Sequence, residues 1–287
     1  MVFILYYIPF YYYCFFFQKK KKSEAHVIVF QHGFQGSSYD LKLFANNINI
    51  NHMDAIFLHS CSNENDTDCD IEIMGLNLAK EVRQFINAQL GSKKLQRLSF
   101  VGHSLGGLII RSALPHLQDL EQYFHAFITF STPHLGFMFS QSKMVNAGLW
   151  FMKTWNNTYS LKQMTMAETK QIEDTFIYRL AFKYGLKFFK HIILFSSPQD
   201  YYVPFYSARM QQTPGQFKDL KNSEIYNQML EGIFKNVQSD RIHRVDVSFE
   251  IPGQTIDNMI GRAAHISFLE NEALMKMILT DFKHIFI

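Results

Sequence analysis

RLSFVGHSLGGLIIR, residues 97–111, decides the fold. Residues 97–101 form a short apolar run of the kind that makes a strand. Gly102-His103-Ser104-Leu105-Gly106 follows, a G-x-S-x-G pattern. Leu105, Leu108, Ile109, Ala113 and Leu117 then recur at helical spacing. A serine set between a strand and a helix is a nucleophile elbow in outline. A serine hydroxyl reacts poorly unless a turn holds it in the open beside a base. Glycines two residues before and two after keep side chains out of that turn, and Gly107 allows close packing of the helix. The helix N-terminus also favours developing negative charge. Ser104 is therefore the candidate nucleophile.

Working outward, the chain alternates short apolar runs with amphipathic stretches. Residues 25–31 (AHVIVFQ) read as a strand ending at His32-Gly33, and residues 55–58 as a second, shorter one. Leu76, Ala79, Val82, Ile86 and Leu90 predict a helix that Gly91 ends. Residues 126–130 and 191–195 predict further strands, 244–251 a longer one, and 267–282 a terminal amphipathic helix. This rhythm predicts an α/β fold, a mostly parallel sheet with helices on both faces, and the elbow makes it an α/β-hydrolase fold. Residues 134–190 carry no clear strand but hold both tryptophans and five methionines. They are expected to form an inserted, mostly helical cap in one catalytic domain spanning residues 25–287.

In this fold the order along the chain is nucleophile, acid, base. Asp200 lies in the loop that leaves the 191–195 strand (Ser196-Ser197-Pro198-Gln199-Asp200) and is the candidate acid. Asp174 falls in the expected cap, Asp240 before the last strand, and Asp246 within it. His243, His265 and His284 follow the acid. His265 is expected in the loop after the last strand, where a base can reach back to Ser104. His32, His103 and His134 also fall near the site, where structural hydrogen bonds account for them. The oxyanion donors are expected to be the backbone N–H groups of Leu105, after the nucleophile, and Phe34, after the first strand. This chemistry needs no metal or cofactor.

A formal charge of +3 without a basic stripe argues against a nucleic-acid partner. Cys14, Cys61 and Cys69 form no CxxC pair, and Cys61 and Cys69 read as ordinary thiols. MVFILYYIPFYYYCFFF, residues 1–17, precedes Gln18 and the run Lys19–Lys22. Spanning helices need about 20 apolar residues, and Pro9 interrupts this stretch. Residues 1–22 read three ways: a short anchor or membrane-associated segment, an atypical signal peptide, or a non-native start. Membrane contact through residues 1–17 and a cytoplasmic or membrane-associated location are favoured over secretion.

HGFQGSSYDL, FVGHSLGGLIIR, FSTPHLG, SSPQDYYVPFYSAR and IGRAAHISFL occur in that order. Together they resemble the lipase-like putative serine esterase family of the α/β-hydrolase superfamily. The nearest likeness is to the C-terminal domain of the "family with sequence similarity one hundred thirty-five" proteins, over roughly residues 25–287. Those relatives carry a long N-terminal region, so the chain reads as a stand-alone catalytic domain or a fragment. The resemblance implies the same three residues, Ser104, Asp200 and His265. The expected reaction is hydrolysis of carboxylic esters of lipids or other apolar acyl groups through an acyl-enzyme. Phe137, Phe139, Trp150, Phe151 and Trp155 in the cap would supply an apolar wall over Ser104, or else the cap's own core. The rival readings are a catalytically silent partner-binding module, an acyl thioesterase and a transacylase.

Overall fold

The computed structural model describes residues 24–52, 54–137, 158–212, 220–250 and 257–286. The N-terminal apolar segment and the expected cap residues Phe139, Trp150, Phe151 and Trp155 lie outside them. Six strands are described: β1 (Glu24–Gln31), β2 (Ala55–His59), β3 (Lys94–His103), β4 (Phe124–Phe130), β5 (His191–Ser196) and β6 (Ile242–Asp246). All pair in parallel, in the order β2-β1-β3-β4-β5-β6. The chain thus moves one way from β1 to β2, then returns past β1 to continue the other way. The C-terminal ends of β1 and β3 flank this reversal, the place where an open parallel sheet forms a binding crevice.

Ten helices cover the sheet among the described residues: α1 (Lys42–Asn51), α2 (Ile71–Gln89), α3 (Leu105–Ala113), α4 (Tyr159–Met164), α5 (Phe176–Ala181), α6 (Phe205–Ala208), α7 (Leu220–Phe234), α8 (Asp257–Glu270), α9 (Glu272–Asp281) and α10 (Lys283–Phe286). Strand side chains alternate between two apolar layers. Val27, Val29, Phe127, Ile192 and Leu194 face one layer with Leu78 and Val82 of α2 and Leu108 and Ile109 of α3. Ile28, Phe30, Ile128, Ile193 and Phe195 face the other with Phe44 and Ile48 of α1, Phe268 of α8 and Ile278 of α9. Both faces are covered, which is why β1 and β4 read as continuous apolar runs. Each such side chain contributes about 1.5–3 kcal/mol on burial.

Two expected boundaries are corrected. The last strand is Ile242–Asp246 rather than residues 244–251. Beyond Asp246 the amide and carbonyl of Phe249 bond the Gln199 side chain, at 2.6 and 3.0 Å, so a side chain holds that stretch in place of a ladder. The terminal helix is two helices, because Asn271 breaks the run and caps α9 by accepting from the Leu274 N–H at 2.8 Å. Helix α1 was not anticipated, although Leu41, Phe44, Ala45 and Ile48 have the spacing of a buried face. Residues 158–190 carry α4 and α5, whose Leu161, Met164, Phe176 and Ile177 join the same apolar layer as α2 and α3.

Histidines from three strands meet beneath the C-terminal helix. Ring centroids of His26 and His125 lie 5.4 Å apart, His125 and His191 5.2 Å, and His191 and His284 5.3 Å. His26 Nε2 is 2.7 Å from Ser99 Oγ, and His125 Nε2 donates to the Ile285 carbonyl at 3.0 Å. Burial first, then the Arg97 guanidinium, pushes His26 down to about 3 and His125 to about 4. Their folded values lie below those of the unfolded chain, so unfolding takes up protons as pH falls through about 6.5, and stability drops from there toward pH 3–4. From pH 7.5 to 5.0 we expect a loss of about 2 kcal/mol from His26 alone. Urea midpoints at the two pH values measure it. His26→Gln should flatten the dependence, and an unchanged pH slope in that variant would contradict this assignment.

Candidate active site

Ser104 sits between β3 and α3 with φ +53° and ψ −122°, a conformation few residues other than glycine adopt. Its N–H donates to the Phe130 carbonyl of β4 at 2.9 Å, which fixes the turn against the sheet. The glycine spacing has a steric cause. A Cβ on Gly106 would overlap the Gln31 carbonyl oxygen at the end of β1, and one on Gly102 would lie 2.7 Å from the Gly107 nitrogen. The Leu105 N–H opens α3, where the first amides of a helix have no partner within it. Gly33 approaches the turn from the end of β1: a Cβ there would be 3.0 Å from both Ser104 Cβ and the His103 carbonyl oxygen. Phe34 follows directly and lines the same cavity as Ser104.

That cavity, of about 290 Å³, is lined by Ser104 and His265 together. Apolar contributions come from Phe34, Phe137, Met164, Val203, Ile266 and Leu269, and polar ones include Asp40, Tyr202 and Arg262. Phe137 is the one residue of the expected aromatic wall among those described.

Asp200, after β5, has a fully buried side chain, and His265 Nδ1 lies 2.6 Å from its Oδ2. Asp200 Oδ1 accepts the N–H groups of Tyr202 at 2.8 Å and Val203 at 3.2 Å. One carboxylate oxygen is thereby held by the following turn, and the other is presented to the imidazole. His265 is not in a loop. It lies inside α8, so its backbone is fixed by the helix that also buries Ala264 and Phe268. His103 Nε2 donates to the His265 carbonyl at 3.2 Å, and their rings are 4.7 Å apart. Burial and the adjacent His265 hold His103 well below the usual imidazole value, so it is a neutral donor. Tyr202 stacks on His265 with centroids 5.6 Å apart.

The other sequence candidates lie apart from this cluster. Asp174 and Asp240 occupy short 3-10 turns. Asp246 ends β6 and pairs with Arg209. His243 lies in β6 beside Ile193, and His284 is in α10. His32 Nδ1 contacts the Gly33 carbonyl, and His134 Nε2 contacts Thr129 Oγ1, both at 3.0 Å.

Two residues that sequence reasoning missed support the site. Ser131, one residue beyond β4, is buried with φ +47° and donates to Asp200 Oδ2, the oxygen that also faces His265. Arg111 of α3 is buried and donates to the carbonyls of His134 at 2.8 Å and Leu180 at 3.2 Å. Burial lowers its guanidinium to about 9, so it stays charged at neutral pH. It ties α3, which follows Ser104, to the segment bearing Phe137 and to α5. Both fall inside motifs quoted above, Ser131 in FSTPHLG and Arg111 in FVGHSLGGLIIR, but nothing in those motifs assigns either residue its contacts.

A serine, an imidazole oriented by a buried carboxylate and helix-terminal amides can together perform acyl transfer. A family model described as "Putative serine esterase (DUF676)" matches residues 21–213. The protein named "Putative lipase ROG1" from Saccharomyces cerevisiae is 29% identical over 123 residues, 39% of this chain and 17% of that protein. The chain therefore matches only a small part of that relative's length. Among solved structures, one described under "LipS and LipT, two metagenome-derived lipolytic enzymes" superposes with a TM-score of 0.49 at 13% identity, covering 91% of this chain and 94% of that one. The lin2722 gene product from Listeria innocua gives 0.48 at 9% identity, covering 89% and 92%.

Proposed function

Because the chain belongs to the putative serine esterase family, we propose that it hydrolyses carboxylic esters of apolar acyl groups through an acyl-enzyme on Ser104. The observation that carries this reading is that Ser104 and His265 line one cavity, with Asp200 Oδ2 2.6 Å from His265 Nδ1. Ser104 Oγ attacks the ester carbonyl carbon as His265 Nε2 takes its proton. The Asp200 carboxylate accepts the His265 Nδ1–H bond and stabilises the imidazolium. The amides of Leu105 and Phe34 receive the oxyanion. Collapse breaks the bond to the alcohol oxygen, which takes the proton from His265. Water then attacks the acyl-enzyme by the same base and releases the carboxylic acid.

Phe34, Phe137, Met164, Ile266 and Leu269 on the cavity wall favour an aliphatic acyl chain. Phe137 and Met164 also support a cap role for residues 134–190. The five collinear motifs support kinship with the C-terminal domain of the family named above. Hydrolysis of p-nitrophenyl esters from acetyl to palmitoyl tests the function. Activity should rise from acetyl to medium-length chains, with a burst of nitrophenol stoichiometric with enzyme. Folded protein that turns over none of the series would refute it.

A further inference from the structure

Helix α8 supplies the cavity with more than a base. Arg262, His265, Ile266 and Leu269 all line it, at the i, i+3, i+4, i+7 spacing of one helix face. Ile266 and Leu269 continue the apolar wall on the C-terminal side of His265. Arg262 stands about one turn to the other side, about 4.5 Å along the axis. It is exposed, and among the described residues no hydrogen bond or ion pair engages its guanidinium. Its one noted electrostatic neighbour is the Tyr202 phenol, itself stacked on His265. Asp40, the acidic residue of the cavity wall, accepts from Ser37 Oγ at 3.2 Å within its own loop. A cation on the wall of an ester-binding cavity, a turn from the base and with no hydrogen bond or ion pair among the described residues, is placed to meet charge on the substrate.

Resting on the esterase reading, we infer that the substrate is an acyl ester whose alcohol half carries an anion, a phosphate or a carboxylate, bound by Arg262. The acyl chain lies along Ile266, Leu269, Phe137 and Met164, and the anion a few bonds from the ester oxygen reaches the guanidinium. Arginine suits this role because its planar fork pairs with either oxyanion in two hydrogen bonds. Asp40 sets a limit, since an anion on the loop side would be repelled.

The test uses three soluble esters with one acyl group: decanoylglycerol, decanoyl glycerate and decanoylglycerol phosphate, each below its aggregation concentration. The readout is the ratio of kcat/KM for each anionic ester to that for the neutral one. In the wild type at low salt the ratio for at least one anion should be about 10 or more, as one charge-assisted contact allows. The glycerate and phosphate arms then tell which anion is preferred. In Arg262→Gln the ratio should fall about tenfold, and in Arg262→Lys less. Raising the salt should shrink the wild-type ratio, a check that needs no variant. A wild-type ratio near 1 for both anions, or a ratio unmoved by Arg262→Gln, overturns this inference while leaving the esterase reading intact. Wild type that cleaves none of the three esters overturns both.

Discussion

Ser104→Ala should lower kcat for ester hydrolysis by about 10⁴–10⁶-fold, with the fold retained. The loss is large because the hydroxyl is the only group proposed to form the covalent bond. The oxyanion amides and cavity would leave a residue of catalysis above water. Stability should barely change: the turn is held by the Ser104 backbone N–H to Phe130 and by flanking glycines, none of which the substitution touches. Alanine at φ +53° is strained much as serine is. A matched thermal melt together with initial rates on a medium-chain ester measures both. Activity within tenfold of wild type would remove Ser104 from the mechanism.

Asp200→Asn should cost about 10⁴-fold in kcat, by a different route. In the native protein Oδ1 accepts two amides, those of Tyr202 and Val203, and Oδ2 faces His265 Nδ1. Asparagine keeps its carbonyl toward the two amides, so its NH₂ turns toward the imidazole. Nδ1 must then accept rather than donate, and the proton moves to Nε2, where it blocks uptake from Ser104. Wrong tautomer, not lost packing, is the cause. Rates across pH 6–10 with parallel melts check it, and a variant within about tenfold of wild type at every pH would contradict it. Ser131→Ala removes a donor to the same Oδ2 and should have a smaller effect, of order 10-fold.

Much of this was legible from spacing. The elbow could be read because its glycines are enforced by backbone atoms of β1 and α3, leaving sequence no freedom there. Strands β1, β4 and β5 were readable as apolar runs because both sheet faces are covered. Chain order singled out Asp200 and His265, which the fold brings within 2.6 Å. Their surroundings were less readable. The sequence places His265 in a loop because the amphipathic pattern becomes clear only from residue 267, whereas α8 begins ten residues earlier. The split at Asn271 depends on a side-chain cap, which periodicity does not reveal. Ser131 and Arg111 act through contacts 69 residues or 23 and 69 residues away in sequence, which no local pattern encodes. The apolar run 244–251 reads as a strand, but pairing ends at Asp246 and the Gln199 side chain bonds Phe249 in place of a ladder.

The central claim is that Ser104 forms the acyl-enzyme. Its most direct test is reaction of the folded protein with a fluorophosphonate, followed by proteolysis and mass spectrometry. The account predicts one adduct per chain on the peptide containing Ser104, absent in Ser104→Ala and slowed in Asp200→Asn. No adduct on folded wild type, or equal labelling of Ser104→Ala, would contradict it.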